Sequence, residues 1–115
     1  MSLQVRTLAL EAIQALAPIA SAIARHDRSL ATQLRTAASS VVLNIAESEQ
    51  SDPGNARARL HTAAGSARET RAALQLASAW GYVERERMLG ADQLLDRVSA
   101  MLWRLLHSKR PSASR

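Results

Sequence analysis

Apolar residues recur at three- and four-residue intervals along most of the chain, which is the spacing of one buried helix face. The pattern predicts a first helix over about residues 3–25, with an apolar face formed by Val5, Leu8, Ala12, Ile13, Leu16, Ile19, Ala20 and Ile23. Pro18 lies inside this pattern, where it removes one backbone donor and crowds the carbonyl of Gln14. Because the apolar spacing continues in phase beyond the proline, we expect one kinked helix rather than two helices.

Three more helices are predicted, at about residues 29–49, 55–80 and 84–108. Asp27 or Ser29 is expected to cap the second helix, because side-chain oxygens of this type accept hydrogen bonds from the first N–H groups of a helix. The Ser-Asp-Pro-Gly-Asn segment at 51–55 combines two kinds of turn chemistry and predicts a loop. Gly81 is expected to end the third helix, since glycine readily adopts the left-handed conformation.

Four helices of about twenty residues with short connections predict an all-α fold, an antiparallel up-down-up-down four-helix bundle. Because the sequence contains no pattern typical of a strand, an internal repeat or a second domain, residues 1–108 are expected to form one domain. Residues 109–115 predict a flexible basic tail. The alternative is a three-helix arrangement in which the first helix docks elsewhere, for example on a neighbouring subunit.

The composition adds an expectation of self-association. Hydrophobic residues make up 47% of the chain, but Phe is absent and aromatic residues are only 3%, so much of the apolar content is alanine. Alanine contributes little apolar area on burial, although it favours helices and lets their backbones approach closely. A small domain with such a core commonly gains stability by oligomerisation, and we expect a homo-oligomer.

The N-terminal stretch has some features of a signal peptide, namely Arg6, an apolar run and Ala-Ser-Ala at 20–22. Glu11 and Gln14 interrupt the run, and the same residues form a good amphipathic helix, so the targeting interpretation is the less favoured one. No stretch reaches the roughly 18 uninterrupted apolar residues expected of a membrane span. With no cysteine, the chain also suits a reducing compartment, and we expect a cytoplasmic protein without a membrane partner.

The search for catalytic chemistry gives no candidate. His26, His61 and His107 lie on different segments, and none belongs to the paired motifs that hold metals in helical bundles. The helical serines have no histidine at helical spacing to activate them, and the glycines form no phosphate-binding loop. We therefore expect no catalytic residues, no metal, no cofactor and no small-molecule substrate.

A polar stripe runs along the second helix at Ser40, Asn44 and Glu47, whose spacings of four and three stack their side chains at the edge of the core. One interpretation makes the stripe a polar pocket. The favoured interpretation is a structural polar network that bonds to Ser66 or Glu69 on the third helix and fixes its register, because buried polar groups need partners.

The third helix has three faces, of which one points to the core through Leu60, Ala63, Ala67 and Leu74. The second is a basic ridge that consists of Arg57, His61, Arg68, Arg71 and Gln75. The third is a small-residue sector that consists of Gly65, Ser66, Glu69, Ala73, Leu76 and Trp80. A helix with two non-polar faces often packs inside its own bundle and also against another subunit, so we expect the small-residue sector to face a neighbour.

The basic ridge contains no acidic residue, whereas a merely solvated helix face usually carries neutralising pairs. With a formal charge of +5 and Lys109 and Arg110 in the tail, this predicts binding of RNA or DNA phosphates. The aromatic residues Trp80, Tyr82 and Trp103 form no sheet-like stacking surface, so binding is expected to be led by the phosphate backbone. The alternative is a protein-interaction scaffold whose charge only confers solubility.

Two ordered blocks of the chain resemble a known bacterial family. Gln-Leu-Arg-Thr-Ala-Ala at 33–38 with Asn-Ile-Ala-Glu at 44–47 is similar to its "QLRRAA…NIAEG" signature, and Gly-Ser-Ala-Arg-Glu at 65–69 with Gly81-Tyr82 is similar to its "GSLxE…LGY" block. The family comprises four-helix bundle proteins related to those encoded by intervening sequences of bacterial 23S ribosomal RNA. It also includes the accessory variability protein of diversity-generating retroelements.

This resemblance, which covers about residues 29–108, implies a ring-shaped homopentamer of bundles around a central channel. It also implies the absence of enzymatic activity. For the retroelement branch it implies that a basic surface binds nucleic acid and a reverse transcriptase. The sequence departs from the family pattern at Val42, where proline is frequent, and at Ser48, where glycine is usual.

Overall fold

The computed structural model describes residues 2–108, which contain four α-helices and no strand. The helices are α1 (Ser2–Ala24), α2 (Arg28–Ser48), α3 (Pro53–Ala79) and α4 (Arg85–His107). The predicted all-α class with four helices is therefore confirmed, and every helix begins and ends within two residues of the position expected from the sequence. The expected basic tail at 109–115 lies outside the described residues.

α1 is uninterrupted from Ser2 to Ala24 although it contains Pro18. The proline lies on the exposed side, while Leu16 before it and Ile19 after it, which are three residues apart, are buried. The apolar face of α1 is thus buried both before and after Pro18, and the chain forms one helix there, as the periodicity predicts.

α1 is also the one helix in the described part of the chain that is long and apolar enough to cross a membrane, by length and composition alone. The segment concerned, Leu3–Ala24, has a mean hydropathy of 1.5, and 44% of the qualifying window is buried inside the bundle. A buried core helix or a signal sequence meets the same criterion, so the feature is only weak evidence for a membrane span.

Aspartates cap the second and third helices. Asp27 Oδ1 accepts a hydrogen bond of 2.9 Å from the backbone N–H of Leu30, and Asp52 Oδ1 accepts one of 2.9 Å from that of Asn55. α3 consequently begins at Pro53, inside the segment that the sequence predicts to be a loop. The reason is that proline suits the first helical position, where its missing N–H would have no intrahelical partner and its fixed φ is already helical.

Gly81 ends α3 in the way that its position predicts. Its φ is +82°, and the backbone N–H groups of Gly81 and Tyr82 donate to the carbonyls of Ser78 (3.0 Å) and Ala77 (2.9 Å). This pair of bonds is a Schellman motif, which satisfies two carbonyls that the helix leaves without a partner and turns the chain towards α4.

Each helix packs against its neighbour in the chain, and α4 also packs against α1, so the four helices enclose a core that consists of two clusters of buried residues. Alanines supply a large share of this core, and the most deeply buried of them are Ala12, Ala31, Ala63, Ala67 and Ala77.

Two polar contacts join the start of one helix to the end of another. Arg6 at the start of α1 binds Glu49 just beyond α2 (2.9 Å), and Arg57 at the start of α3 binds the Leu106 carbonyl at the end of α4 (2.7 Å).

Two glycine substitutions should have opposite effects on stability. Gly81→Ala is expected to lower the free energy of unfolding by about 1–2 kcal/mol, because alanine is strained at positive φ. Gly90 lies inside α4, with nothing within 4 Å of an added Cβ, so Gly90→Ala should raise that free energy by up to about 1 kcal/mol. Urea unfolding followed by circular dichroism would measure both. Equal effects of the two substitutions would contradict the role given to Gly81.

Candidate nucleic-acid interface

The structure joins part of the polar stripe on α2 to α3. Ser66 Oγ donates a hydrogen bond of 2.7 Å to Ser40 Oγ, and Asn44 Nδ2 lies 2.9 Å from the Ser40 carbonyl and 3.0 Å from Ser40 Oγ. Because Ser40 and Ser66 are both short, this contact requires the two helix backbones to lie close together. The buried Ala63 and Ala67 on α3 are small enough to allow this close approach.

The other two residues proposed for the network, Glu47 and Glu69, make no direct side-chain bond to Ser40 or Ser66 within residues 2–108. The exposed carboxylate of Glu47 lies 3.5 Å from Arg59 of α3, and Arg59 Nη1 donates to Asn44 Oδ1 at 3.4 Å, so Arg59 links Glu47 to Asn44. Glu69 is exposed and makes no hydrogen bond or ion pair within residues 2–108. Arg59 is the partner that the sequence does not indicate, because its contact depends on how α2 and α3 are rotated against each other.

The small-residue sector of α3 does not form one exposed face. Ala73 is buried in the core, and Ser66 is occupied by its bond to α2. Leu76 and Trp80 are exposed, at 46% and 65% of their surfaces. Ala73 therefore cannot face another subunit, because its own bundle buries it, and Ser66 is directed towards Ser40 of α2. Only the end of the sector near Trp80 presents apolar surface.

The basic ridge lies along the side of α3 that faces α4. His61, Arg68 and Arg71 line a cavity of about 360 Å³ between the two helices, which we call the α3–α4 groove. The remaining lining residues are Ala64, Ser99, Trp103, Leu106 and His107. Arg57 lies outside this groove, where it lines a neighbouring cavity and its guanidinium binds the Leu106 carbonyl. The structure thus brings three of the four ionisable residues of the ridge together in one groove.

Arg71 is held by two carboxylates of α4. Its Nε and Nη2 donate to the two oxygens of Asp92 at 2.9 and 3.1 Å, and its Nη1 donates to Asp96 at 3.1 Å. The hydrogen bond to Asp92 raises the pKa of Arg71, although burial opposes the rise. The ridge itself lacks acids, as the sequence shows, but the adjoining helix supplies them. Arg71 is therefore largely neutralised where it stands.

Arg68 and His61 have different surroundings. Both side chains are exposed, and neither makes a hydrogen bond or an ion pair within the described range 2–108. The Arg68 guanidinium folds back along its own helix, since Nη2 lies 3.7 Å from the position that a Cβ on Gly65 would occupy. Arg68 therefore offers all its donors to a ligand. Lys109 and Arg110, the other expected contacts, lie outside the described residues.

Trp103 lies in the same groove and places an exposed aromatic ring there, although no aromatic stacking surface is expected from the sequence. Its indole ring is 60% exposed and stacks on the imidazole of His107, with ring centroids 4.2 Å apart and an angle of 17° between the planes. His107 Nδ1 also lies 2.9 Å from the Trp103 carbonyl. The spacing of four between the two aromatic residues is the sequence signal that could have indicated the pair.

No metal centre is formed in the described part of the chain, since no three His, Asp or Glu side chains there come together as a ligand set. The structure instead defines an all-α protein with a partly basic groove between α3 and α4. Hydrogen bonds and ion pairs join α3 to α2 on one side and to α4 on the other.

Comparison with known proteins identifies the family. The sequence profile of the 23S rRNA-intervening sequence proteins matches residues 1–104, and the chain belongs to this family. The fold is similar to that of a crystal structure from Bacteroides thetaiotaomicron, a protein of unknown function from the S23 ribosomal protein family. The TM-score is 0.83 at 20% identity, over 90% of this chain and 99% of that one, and the likeness shows the fold alone. No curated protein matches the chain significantly.

The Ser40–Ser66 bond should be measurable as a coupling between the two side chains. In a double-mutant cycle of Ser40→Ala and Ser66→Ala, we expect a coupling of about 0.5–1.5 kcal/mol in the free energy of unfolding, because each single change leaves the other hydroxyl without its partner. Ser39→Ala provides the matched control, since Ser39 is exposed beside Ser40 and should show no coupling to Ser66. A coupling near zero for the Ser40–Ser66 pair would show that the bond does not stabilise the fold.

Proposed function

We propose that this protein is a non-catalytic, homo-oligomeric bundle that binds RNA or DNA phosphates through the α3–α4 groove. The observation that carries the proposal is the environment of Arg68, an exposed guanidinium without an acidic partner in residues 2–108, in the same groove as His61. Planar guanidinium groups suit phosphate oxygens, and a groove concentrates their field. Arg71 takes a positioning role here, because Asp92 and Asp96 already engage it.

The assembly that we propose is a pentamer of antiparallel up-down-up-down bundles, which is the state implied by the family resemblance. The contacts that join the start of one helix to the end of the next support the antiparallel order. Exposed apolar side chains outside the groove support self-association, since a small isolated domain gains stability by covering such surface. The most exposed leucines among them are Leu3 and Leu43.

The second candidate is a protein-interaction scaffold. Leu43 is 62% exposed in the second half of α2, away from the core face of that helix. An apolar residue of this size in such a position suits a protein partner, which in a retroelement setting would be a reverse transcriptase. Nucleic-acid binding that is unaffected by changes in the groove would favour this candidate. We place both functions in the cytoplasm.

The oligomeric state can be checked by light scattering coupled to gel filtration. A single chain has a mass of 12.5 kDa, and we expect the eluting species to have about five times that mass. Replacing Leu43 by Lys tests whether this exposed leucine lies in a subunit interface, while Leu89→Lys is a matched change at a less exposed leucine on α4. A species with the mass of one chain would contradict the homo-oligomer itself.

Charge reversal in the groove should reduce nucleic-acid binding. We expect Arg68→Glu to weaken binding of a labelled single-stranded RNA by at least about fivefold at 100 mM salt, and to lower the slope of log K against log salt by roughly 0.7 for each lost phosphate contact. Fluorescence anisotropy at several salt concentrations gives both quantities. Arg85→Glu makes the same change of charge at the exposed start of α4, so it controls for net charge.

Removing an acid should have the opposite effect. Asp96 is 67% exposed and borders the groove through Arg71, so Asp96→Asn is expected to strengthen RNA binding about twofold while hardly changing stability. Glu86→Gln, in the first turn of α4, is the matched control.

The two charge-reversal variants decide whether the groove is the site. Equal weakening of RNA binding by Arg68→Glu and Arg85→Glu would show that the protein binds through its overall charge and that the groove is not the site.

A further inference from the structure

We propose that the α3–α4 groove takes an unpaired base of a single-stranded nucleic acid, which stacks on Trp103 while Arg68 binds an adjoining phosphate. This inference rests on the proposed function and adds to it a preference for single strands over duplexes. It also assigns a ligand-binding role to three residues of α4, namely Ser99, Trp103 and His107.

The first observation is the state of the Trp103 side chain. An indole that leaves 60% of its surface in water forgoes much of the stabilisation that its burial would provide. The ring is nevertheless held in place, because the imidazole of His107 stacks nearly parallel to it and covers part of its surface. A fixed, accessible aromatic ring beside cations is the arrangement that single-strand binding proteins use, because every base has a face that can stack.

The second observation is the Ser99 hydroxyl, one helical turn before Trp103. Ser99 lines the groove, and its Oγ is buried without a hydrogen-bond partner in the described part of the chain. Such an atom is costly, since a buried hydroxyl normally finds a partner. The edge of a nucleobase supplies donors and acceptors, and a base stacked beside Trp103 would bring them to this side of the groove.

The third observation is the composition and size of the cavity. Its volume of about 360 Å³ falls within the range of roughly 300–1,000 Å³ that is usual for small-ligand pockets. Its lining combines apolar Ala64 and Leu106 with the exposed cation Arg68. Apolar walls suit a base, and the guanidinium suits its phosphate. A duplex offers the phosphate alone, since its bases are already paired and stacked.

Trp80 provides an internal comparison. It is 65% exposed and stacks on Tyr82 at 6.3 Å, so it matches Trp103 in type and exposure but lies outside the α3–α4 groove. The two tryptophans lie far apart, since Trp80 caps the end of α3 whereas the groove around Trp103 lies beside His61 in the first half of that helix. A helix rises about 1.5 Å per residue, so nineteen positions correspond to roughly 28 Å.

The experiment uses the Trp80→Phe protein, in which Trp103 is the sole tryptophan. Its fluorescence is titrated with single-stranded RNA, with the DNA oligonucleotide of the same sequence, and with each strand in duplex form. We expect single strands of either kind to quench Trp103 and duplexes to leave it nearly unchanged. Quenching by RNA but not by DNA would identify the sugar as an additional determinant within the same site.

Affinity measurements by anisotropy then test the energetic contribution. Stacking of one base contributes about 1–3 kcal/mol, so Trp103→Leu should weaken single-strand binding by roughly 5- to 150-fold and leave duplex binding unchanged. Trp103→Phe should recover part of the loss, and Trp80→Leu should cause none. An oligonucleotide with an abasic site at the bound position should bind the original protein less tightly, but should bind Trp103→Leu no worse than the intact strand does.

The outcomes separate this inference from the proposed function. If Arg68→Glu weakens binding but Trp103→Leu leaves single-strand affinity and the effect of the abasic site unchanged, the stacking role is wrong and phosphate binding stands. If neither substitution changes binding, both proposals fail. Because Trp103 is exposed, the variants are expected to fold, and circular dichroism with light scattering would verify that they do.

Discussion

The close approach of α3 to its two neighbours is the constraint on which the rest of the molecule depends. Ala63, Ala67 and Ala77 are completely buried, and side chains of this size let helix axes approach to the short end of the usual 8–10 Å. At that distance the hydroxyls of Ser40 and Ser66 meet directly. With larger residues in the core, the serines would be too short to join α2 to α3.

The same closeness accounts for the electrostatics of the other side of α3. Arg71 contacts Asp92 and Asp96 because α4 lies near enough for both carboxylates to reach one guanidinium. The ridge has four ionisable residues, but not all of them have a charged group that is free to bind a ligand. Arg71 is neutralised locally and Arg57 is bound to a carbonyl at one of its nitrogens, so Arg68 has the greatest freedom to attract an anion. The field of the groove therefore depends on how the helices pair as well as on composition.

Local signals were sufficient to predict the helices, because caps and terminators act within a few residues. Asp27 and Gly81 are examples, and Pro53 differs only because proline is as suitable for the first turn of a helix as for a loop. Contacts between helices could not be predicted in the same way. The partners of Arg59 and Arg71 depend on the rotation of one helix against another, which the periodicity of a single helix does not contain.

The same limit applies to the candidate site. The ridge on α3 follows from angular positions on one helix, and three of its members, His61, Arg68 and Arg71, line the groove. Trp103 belongs to α4, and only the packing of α4 against α3 brings it beside His61 and Arg68. A site assembled from two helices is visible in the sequence as two unrelated halves, each of which resembles an ordinary exposed surface.

The contact between Arg57 and Leu106 has a consequence for the energetics of ligand binding. The Leu106 carbonyl is among the last four of α4, which have no partner within their own helix, and Arg57 Nη1 satisfies it at 2.7 Å. A guanidinium has five N–H donors, so most of them stay available. The conformational entropy of this long side chain is thus reduced already in the free protein. An anion that arrives at Arg57 meets a donor held in place, and the usual entropic penalty for immobilising an arginine is largely avoided.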